Sequence, residues 1–178
     1  MSLISLETDC DKEVSPGVDT QTYWVYEKEI DTMPALKTST GAGDKMVYDG
    51  SIVLLPGAEW RAVRLHTKTG EVENNKVGEN GIGGWTNKMV GQIAGNAPAQ
   101  AQFAKCATSA CGVVILVKQN DGNMRVIGKK GAPAIVQNWD EKTGKTSTDF
   151  AGHTFLFQAD NNAPAYFYEG TITPIMPV

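Results

Sequence analysis

The chain has 178 residues, 41% of them hydrophobic and 20% charged, and a formal charge of −4. This length suits one domain that buries most of its unfolded surface without staples. The acidic balance, with a pI near 5.2, excludes a protein that wraps nucleic acid on a basic surface, though not a wall that nucleic acid slides past.

Residues 1–20 mix apolar and acidic side chains and close on Ser15, Pro16 and Gly17, which reads as an extended N-terminal arm. No basic region followed by an apolar run opens the chain, so no signal peptide is expected, and no stretch approaches the ~20 apolar residues of a membrane span. Asp9, Asp11 and Glu13 alternate somewhat like a calcium loop. The glycine and closing glutamate of such a loop are missing, and a solvated strand face explains the alternation equally well. The three cysteines, Cys10, Cys106 and Cys111, cannot all pair and form no CxxC. They read as reduced thiols of a chain made in a cytosol.

Residues 21–29 are aromatic and β-branched and predict the first core strand, with Tyr23 and Val25 on one face and Trp24 and Tyr26 on the other. Residues 35–50 form a long polar segment with three glycines, the kind that is functional or ordered by a partner. Residues 51–55 predict a short buried strand, stopped by Pro56 and Gly57. Residues 59–66 alternate as a half-exposed strand. Two further strands, 72–77 and 85–93, flank the glycine run 78–84, which fits neither phosphate-loop spacing and reads as a hairpin connection.

Residues 96–110 predict the single helix. Asn96 can cap it, Pro98 sits in its first turn, and Phe103, Ala104, Ala107 and Ala110 give it a narrow stripe able to lie on the central hairpin. Cys106 and Cys111 read as small buried apolar residues.

That hairpin, residues 111–128, is the strongest local signal in the chain. Two aliphatic runs flank Asn120, Asp121, Gly122 and Asn123, which predicts a two-residue type I′ turn at Asp121 and Gly122. In that register Val117 faces Val126, Leu116 faces Ile127 and Lys118 opposes Arg125. Val113, Ile115, Val117, Met124 and Val126 then share one face. Both faces are apolar, as in an interior strand pair. Beyond it, residues 134–140 alternate as a strand, 146–148 return as another, and 153–159 and 165–172 are aromatic strands. Residues 173–178 form a loose C-terminal tail. Nineteen glycines and eight prolines agree with frequent turns. The fold class is mainly β, an antiparallel sandwich or half-open barrel of about eight to ten strands with one flanking helix.

No constellation of catalytic, cofactor-binding or metal-ligating residues emerges. His66 and His153 fall in predicted strands without neighbouring ligands, and no GxSxG elbow is present. The acidic residues lie mostly at turns. Tyr23, Trp24, Trp60, Trp85, Trp139, Phe155, Phe157, Tyr166 and Tyr168 could line a sugar site, but their strand periodicity assigns most of them to the core.

The order of elements resembles the tube proteins of long-tailed bacteriophages and related injection machines: an acidic arm, a long glycine-bearing loop, one helix after the middle strands, then antiparallel hairpins. The passage Thr143-Gly144-Lys145, Asp149, Gly152, Phe155, Ala163-Pro164-Ala165 and Tyr168-Glu169-Gly170 is similar to small phage virion proteins. The resemblance implies a non-enzymatic virion subunit, made in a bacterial cytoplasm, that forms stacked and usually hexameric rings. DNA would be passing cargo, and other virion proteins would be partners. Residues 35–50 would reach the next ring, and the arm and tail would cross to neighbouring subunits. A carbohydrate- or receptor-binding sandwich, a capsid decoration or tail-completion protein, and a hydrolase with carboxylates from separate strands are the competing readings.

Overall fold

The computed structural model describes residues 17–39, 41, 43–78, 83–109, 111–146, 148–172 and 174–175. Most of the N-terminal arm, with Asp9, Cys10, Asp11 and Glu13, lies outside the described residues, as does most of the tail.

The described chain is an antiparallel β-sandwich with one helix. Its first strand, β1 (Val18–Tyr26), starts three residues inside the expected arm because Val18 is buried. The strand divides its aromatics as the alternation requires: Trp24 enters one core, while Val25 enters the other. A 3-10 turn over Glu27–Glu29 ends it, and β2 (Ile30–Thr32) follows. After β3 (Val47–Tyr48) and β4 (Val53–Leu54) come β5 (Trp60–Arg64), β6 (Glu71–Lys76) and β7 (Trp85–Ala94). The helix α1 (Pro98–Ala107) separates these from β8 (Val113–Gln119), β9 (Met124–Ile127), β10 (Ile135–Lys142), β11 (Gly152–Asn161), β12 (Phe167–Tyr168) and β13 (Pro174–Ile175).

Seven strands form one sheet in the order β13-β5-β1-β8-β9-β12-β3, and four form a second in the order β10-β11-β7-β6. The two sheets meet over a core in which Val18, Trp24, Val63, Val113, Ile115, Val117 and Ile127 pack against Met89, Phe155, Phe157 and Ala159. The opposite face of the larger sheet carries a second core. There Val25, Trp60, Val114, Leu116 and Val126 lie under Ile30, Ile52, Tyr48, Tyr166 and Tyr168. β8 is thus apolar on both faces, as an interior strand must be.

The central hairpin differs from its expected register by one residue. Leu116 pairs with Val126, Val117 with Arg125 and Lys118 with Met124. Gly122 N–H donates to the Gln119 carbonyl, Gln119 N–H donates to the Asn123 carbonyl, and Gly122 sits at φ 88°. This is a three-residue loop, a type I turn completed by a left-handed glycine, in place of the type I′ turn. The slip exchanges the faces of β9: Ile127 joins Ile115 and Val117, while Val126 and Met124 join Leu116. It also dissolves the expected Lys118–Arg125 clash. Arg125 stacks its guanidinium 3.8 Å from the Phe167 ring centroid and donates to the Ala165 carbonyl, and Lys118 pairs with Asp19 at 3.6 Å.

Four other expectations are corrected. Of residues 51–55 only Ile52 is buried; Val53 and Leu55 are exposed on a two-stranded sheet formed by β2 and β4. The described residues among 146–148 form a turn, with the Asp149 carboxylate accepting from the N–H groups of Lys145 and Thr146. The aromatic stretch 165–172 contributes only the two-residue β12. The described part of residues 35–50 folds back on its own domain. Leu36 bridges Tyr48, Leu36 and Met46 pack on the second core, and Lys37 pairs with Glu169.

Candidate functional site: the open edges of the smaller sheet

The larger sheet ends in short strands. β13 lies parallel on β5 and β3 lies parallel on β12, each only two residues long. The smaller sheet ends differently. Among the described residues, nothing pairs with the outer edge of β10 or of β6, which run eight and six residues. Three successive antiparallel pairings separate them, so β6 runs opposite to β10. A β6 edge set beside the β10 edge of another copy therefore continues the antiparallel alternation.

The composition of β6, Glu-Val-Glu-Asn-Asn-Lys, suits an edge, since few of these residues favour a doubly covered strand. Val72 packs on the core, and the Asn74 Oδ1 accepts from Ala165 N–H at 2.9 Å, which fixes the strand from inside. β10 carries a bulge: Val136 pairs with Phe157 and Asn138 with Leu156, leaving Gln137 as the extra residue. The bulge reverses the expected alternation, so that Val136 and Trp139 both turn to the core while Ile135 is 54% exposed. It splits the pairing with β11 into Ile135 and Val136 before the bulge and residues 138–142 after it. Val77, just beyond β6, is 47% exposed. Each edge has two carboxylates and one lysine, a net charge of −1: Glu71, Glu73 and Lys76 on β6, Asp140, Glu141 and Lys142 on β10.

The residues considered for chemistry are scattered. His66 lies just past β5, exposed, with its ring 5.6 Å from that of Phe150. His153 is wholly buried in β11 and accepts the Trp139 indole N–H on Nδ1 at 3.2 Å. Of the nine aromatics that could have lined a sugar site, Trp24, Trp60, Phe155, Phe157, Tyr166 and Tyr168 are buried in the two cores. Tyr23, Trp85 and Trp139 are half-buried and lie on three different strands. Among the described residues no group of three or more His, Cys, Asp or Glu side chains converges on a metal-sized site, and no helix is long and apolar enough to cross a membrane.

Cys106 and Cys111 are exposed free thiols, against the expectation of burial. The reason for Cys106 is the helix. Phe103 anchors α1 on Trp24 and Trp139, with centroids 5.2 and 6.2 Å apart, and Ala107 is its one buried residue. A groove of about 370 Å³, lined in part by Cys106, lies between the helix and β1. There burial and a hydrogen bond with Cys106 raise the Tyr26 phenol above its ordinary pKa. The helix is capped at Ala97, one residue later than expected, because the Asn96 side chain donates instead to the Lys142 carbonyl. The partly buried ion pair of Arg61 and Glu29 is bidentate, at 2.7 and 2.9 Å. The Arg61 hydrogen bond holds the Glu29 carboxyl below its usual range.

No family model, curated protein or solved structure matches this chain. Its class is defined by the architecture of the described residues: an antiparallel β-sandwich flanked by one helix, with no described strand on either outer edge of the smaller sheet.

Proposed function

We propose that this chain is a non-enzymatic structural virion protein, a tail-tube-type subunit that assembles through its sheet edges into rings and lets DNA pass through the stack. One observation carries the reading: both outer strands of the four-stranded sheet are unpaired among the described residues and run antiparallel to each other. A contact of β6 on one copy with β10 on the next is heterologous, and a heterologous contact closes a ring when its rotation divides a full turn. The support lies in these edges and not in residues 35–50, whose described part is docked on its own domain.

An acidic chain suits a conduit, because a wall of like sign to DNA does not retain it. The edges themselves carry equal net charge, so association strengthens as salt screens their repulsion. Among virion roles, a decoration or tail-completion protein would share the sandwich but not polymerise into tubes. The carbohydrate-binding reading loses ground with most of its aromatics committed to the cores.

The test is sedimentation velocity together with negative-stain microscopy over rising protein and salt concentration. Rings or stacked tubes that grow with salt are expected. A monodisperse monomer at every concentration and salt overturns the proposal.

A further inference from the structure

The backbone phase of the two open edges restricts how they can meet. In an antiparallel ladder one residue turns both its N–H and its C=O to one neighbouring strand, and the next residue turns both to the other. Val77 N–H donates to the Gly84 carbonyl, so by alternation Asn75 and Glu73 are bonded to β7, while Val72, Asn74 and Lys76 turn their backbone groups outward. Across the sheet, Gly95 N–H donates to the Ala151 carbonyl, so the odd residues of β11 face β7 and its even ones face β10. The partners of those even residues, Asn138, Asp140 and Lys142, are bonded inward, which leaves Trp139 and Glu141 turned outward. On both edges the outward-turned residues are also those whose side chains share the core face: Val72 and Asn74 on β6, Trp139 on β10. When outward residues of one copy meet outward residues of the next, the joined sheet therefore keeps one core face.

Such contacts differ only in steps of two residues, and charge chooses among them. With Asn74 opposite Trp139, or opposite Gln137 at the bulge, a glutamate of β6 lies directly across from Asp140: Glu73 in the first case, Glu71 in the second. With Asn75 opposite Lys142, only Asn75 to Val77 overlap Asp140 to Lys142. Between these lies the register in which Asn74 is opposite Glu141. There Glu73 faces Lys142, Asn75 faces Asp140 and Val77 faces Asn138, Glu73 to Val77 overlap Asn138 to Lys142, and no like charges are directly opposed. These side chains are exposed or half-buried. Glu73 stands 3.9 Å from Lys88 and accepts from the Asn75 amide at 3.3 Å, so no buried ion pair holds it away from a neighbour. We infer, resting on the assembly reading, that β6 of one copy joins β10 of the next in this register, and that Glu73 and Lys142 are the residues that set it.

The test is a cysteine scan with one position fixed, in the full chain carrying Cys10→Ser, Cys106→Ser and Cys111→Ser. Asn75→Cys is combined in turn with Asp140→Cys, Asn138→Cys and Lys142→Cys, all exposed positions. In the inferred register positions 75 and 140 form a pair without mutual backbone bonds, whose Cα atoms lie about 4.5 Å apart, within disulfide range. The diagonal positions lie about 7–8 Å apart, beyond it. Under mild oxidation Asn75→Cys with Asp140→Cys is expected to link copies head to tail roughly tenfold faster than the other two combinations, with a peptide joined through 75 and 140 in the digest. A charge exchange gives a second readout. Lys142→Glu should raise the protein concentration needed for assembly severalfold, and adding Glu73→Lys should restore assembly more fully than adding Glu71→Lys, which changes the charge equally. Fastest linkage through 138 or 142, or equal rescue by Glu71→Lys, overturns the register and leaves assembly standing. Rings or tubes in the microscope with none of the three combinations linked overturn the edge contact itself. A wild-type chain that stays monomeric at every concentration and salt fails the assembly reading, and the register falls with it.

Discussion

The four strands of the smaller sheet share one hydrogen-bonded ladder yet divide into two kinds. The inner strands, β7 and β11, run ten residues each and bury alternate side chains, among them Met89, Phe155 and Phe157. The outer strands bury none completely; β10 reaches the core through Val136 and Trp139, and β6 through Val72. The inner pair therefore holds its place by packing as well as by pairing, while the outer pair depends on one ladder and a few anchors. A sheet built this way is stable at its centre and still presents, among the described residues, unpaired N–H and C=O groups at its flanks. Stability and association are thereby assigned to different strands.

The contrast should show first at the centre. Phe157→Ala removes a ring in contact with Trp24, Phe155 and Trp139. It should cost about 3–5 kcal/mol, read as a lower urea midpoint at unchanged slope. A cost below about 1 kcal/mol would erase the distinction between inner and outer strands, since ordinary surface changes fall in that range. Next comes the main anchor of an outer strand. Trp139→Phe keeps the aromatic packing but removes the indole donor, leaving the buried His153 Nδ1 without a partner. A loss of about 1–3 kcal/mol is expected. If Trp139→Phe proves neutral, the hydrogen bond does not hold β10, and the ladder to β11 together with the aromatic packing does.

The inner strands were also the legible ones. The alternation of residues 21–29 placed Trp24 and Val25 in opposite cores because two-residue periodicity is a property of the strand itself. The doubly apolar β8 declared its interior position in the same way. Where the reading slipped, the determinant was not periodic. Asp121-Gly122 is compatible with a two-residue or a three-residue loop, and the choice rests on Gly122 alone adopting positive φ, a one-residue matter that exchanges both faces of β9. The bulge at Gln137 left no mark in composition, so the exposure of Ile135 could not be read from alternation. Residues 146–148 resembled a strand because threonine favours both strands and turns, and the Asp149 carboxylate decided for the turn. The open edges had one sequence signal, the polar run of β6, which speaks only once the neighbouring strands are known. His153 looked like any strand histidine, and its hydrogen bond is to Trp139, fourteen residues away.

The larger sheet sharpens the comparison, because its outer region is fastened by charge. Arg61 on β5 grips Glu29, whose carboxyl is held below its ordinary range by that hydrogen bond. A depressed folded-state value means that the stabilisation is present above the ordinary glutamate range. It is lost as pH falls through the lowered value. Both side chains are partly exposed, so the pair is worth no more than about 1 kcal/mol. Arg61→Ala should lower the urea midpoint by that amount at neutral pH and by less at an acid pH where the Glu29 carboxyl has protonated. An equal difference at both pH values would assign the effect to lost packing on Tyr26, over whose ring the guanidinium sits at 5.1 Å.

The smallest expected change in stability belongs to the outer strands' exposed aliphatics, and there the consequence for association should be largest. Ile135→Glu and Val77→Glu alter side chains 54% and 47% exposed. Neither should move the monomer's unfolding by more than about 0.5 kcal/mol. Glutamate is the informative choice over lysine. Both edges already carry a net charge of −1, so a lysine would be drawn to the facing edge, whereas an added carboxylate deepens the repulsion. If β6 and β10 join copies, either variant should abolish sedimenting assemblies at low salt and recover them in part as salt is raised. If both variants assemble as wild type does, these edges are not the contact, however stable the chain remains. Loss of assembly together with loss of stability would mean instead that the flanks carry the fold, and the separation of roles between inner and outer strands would fail with it.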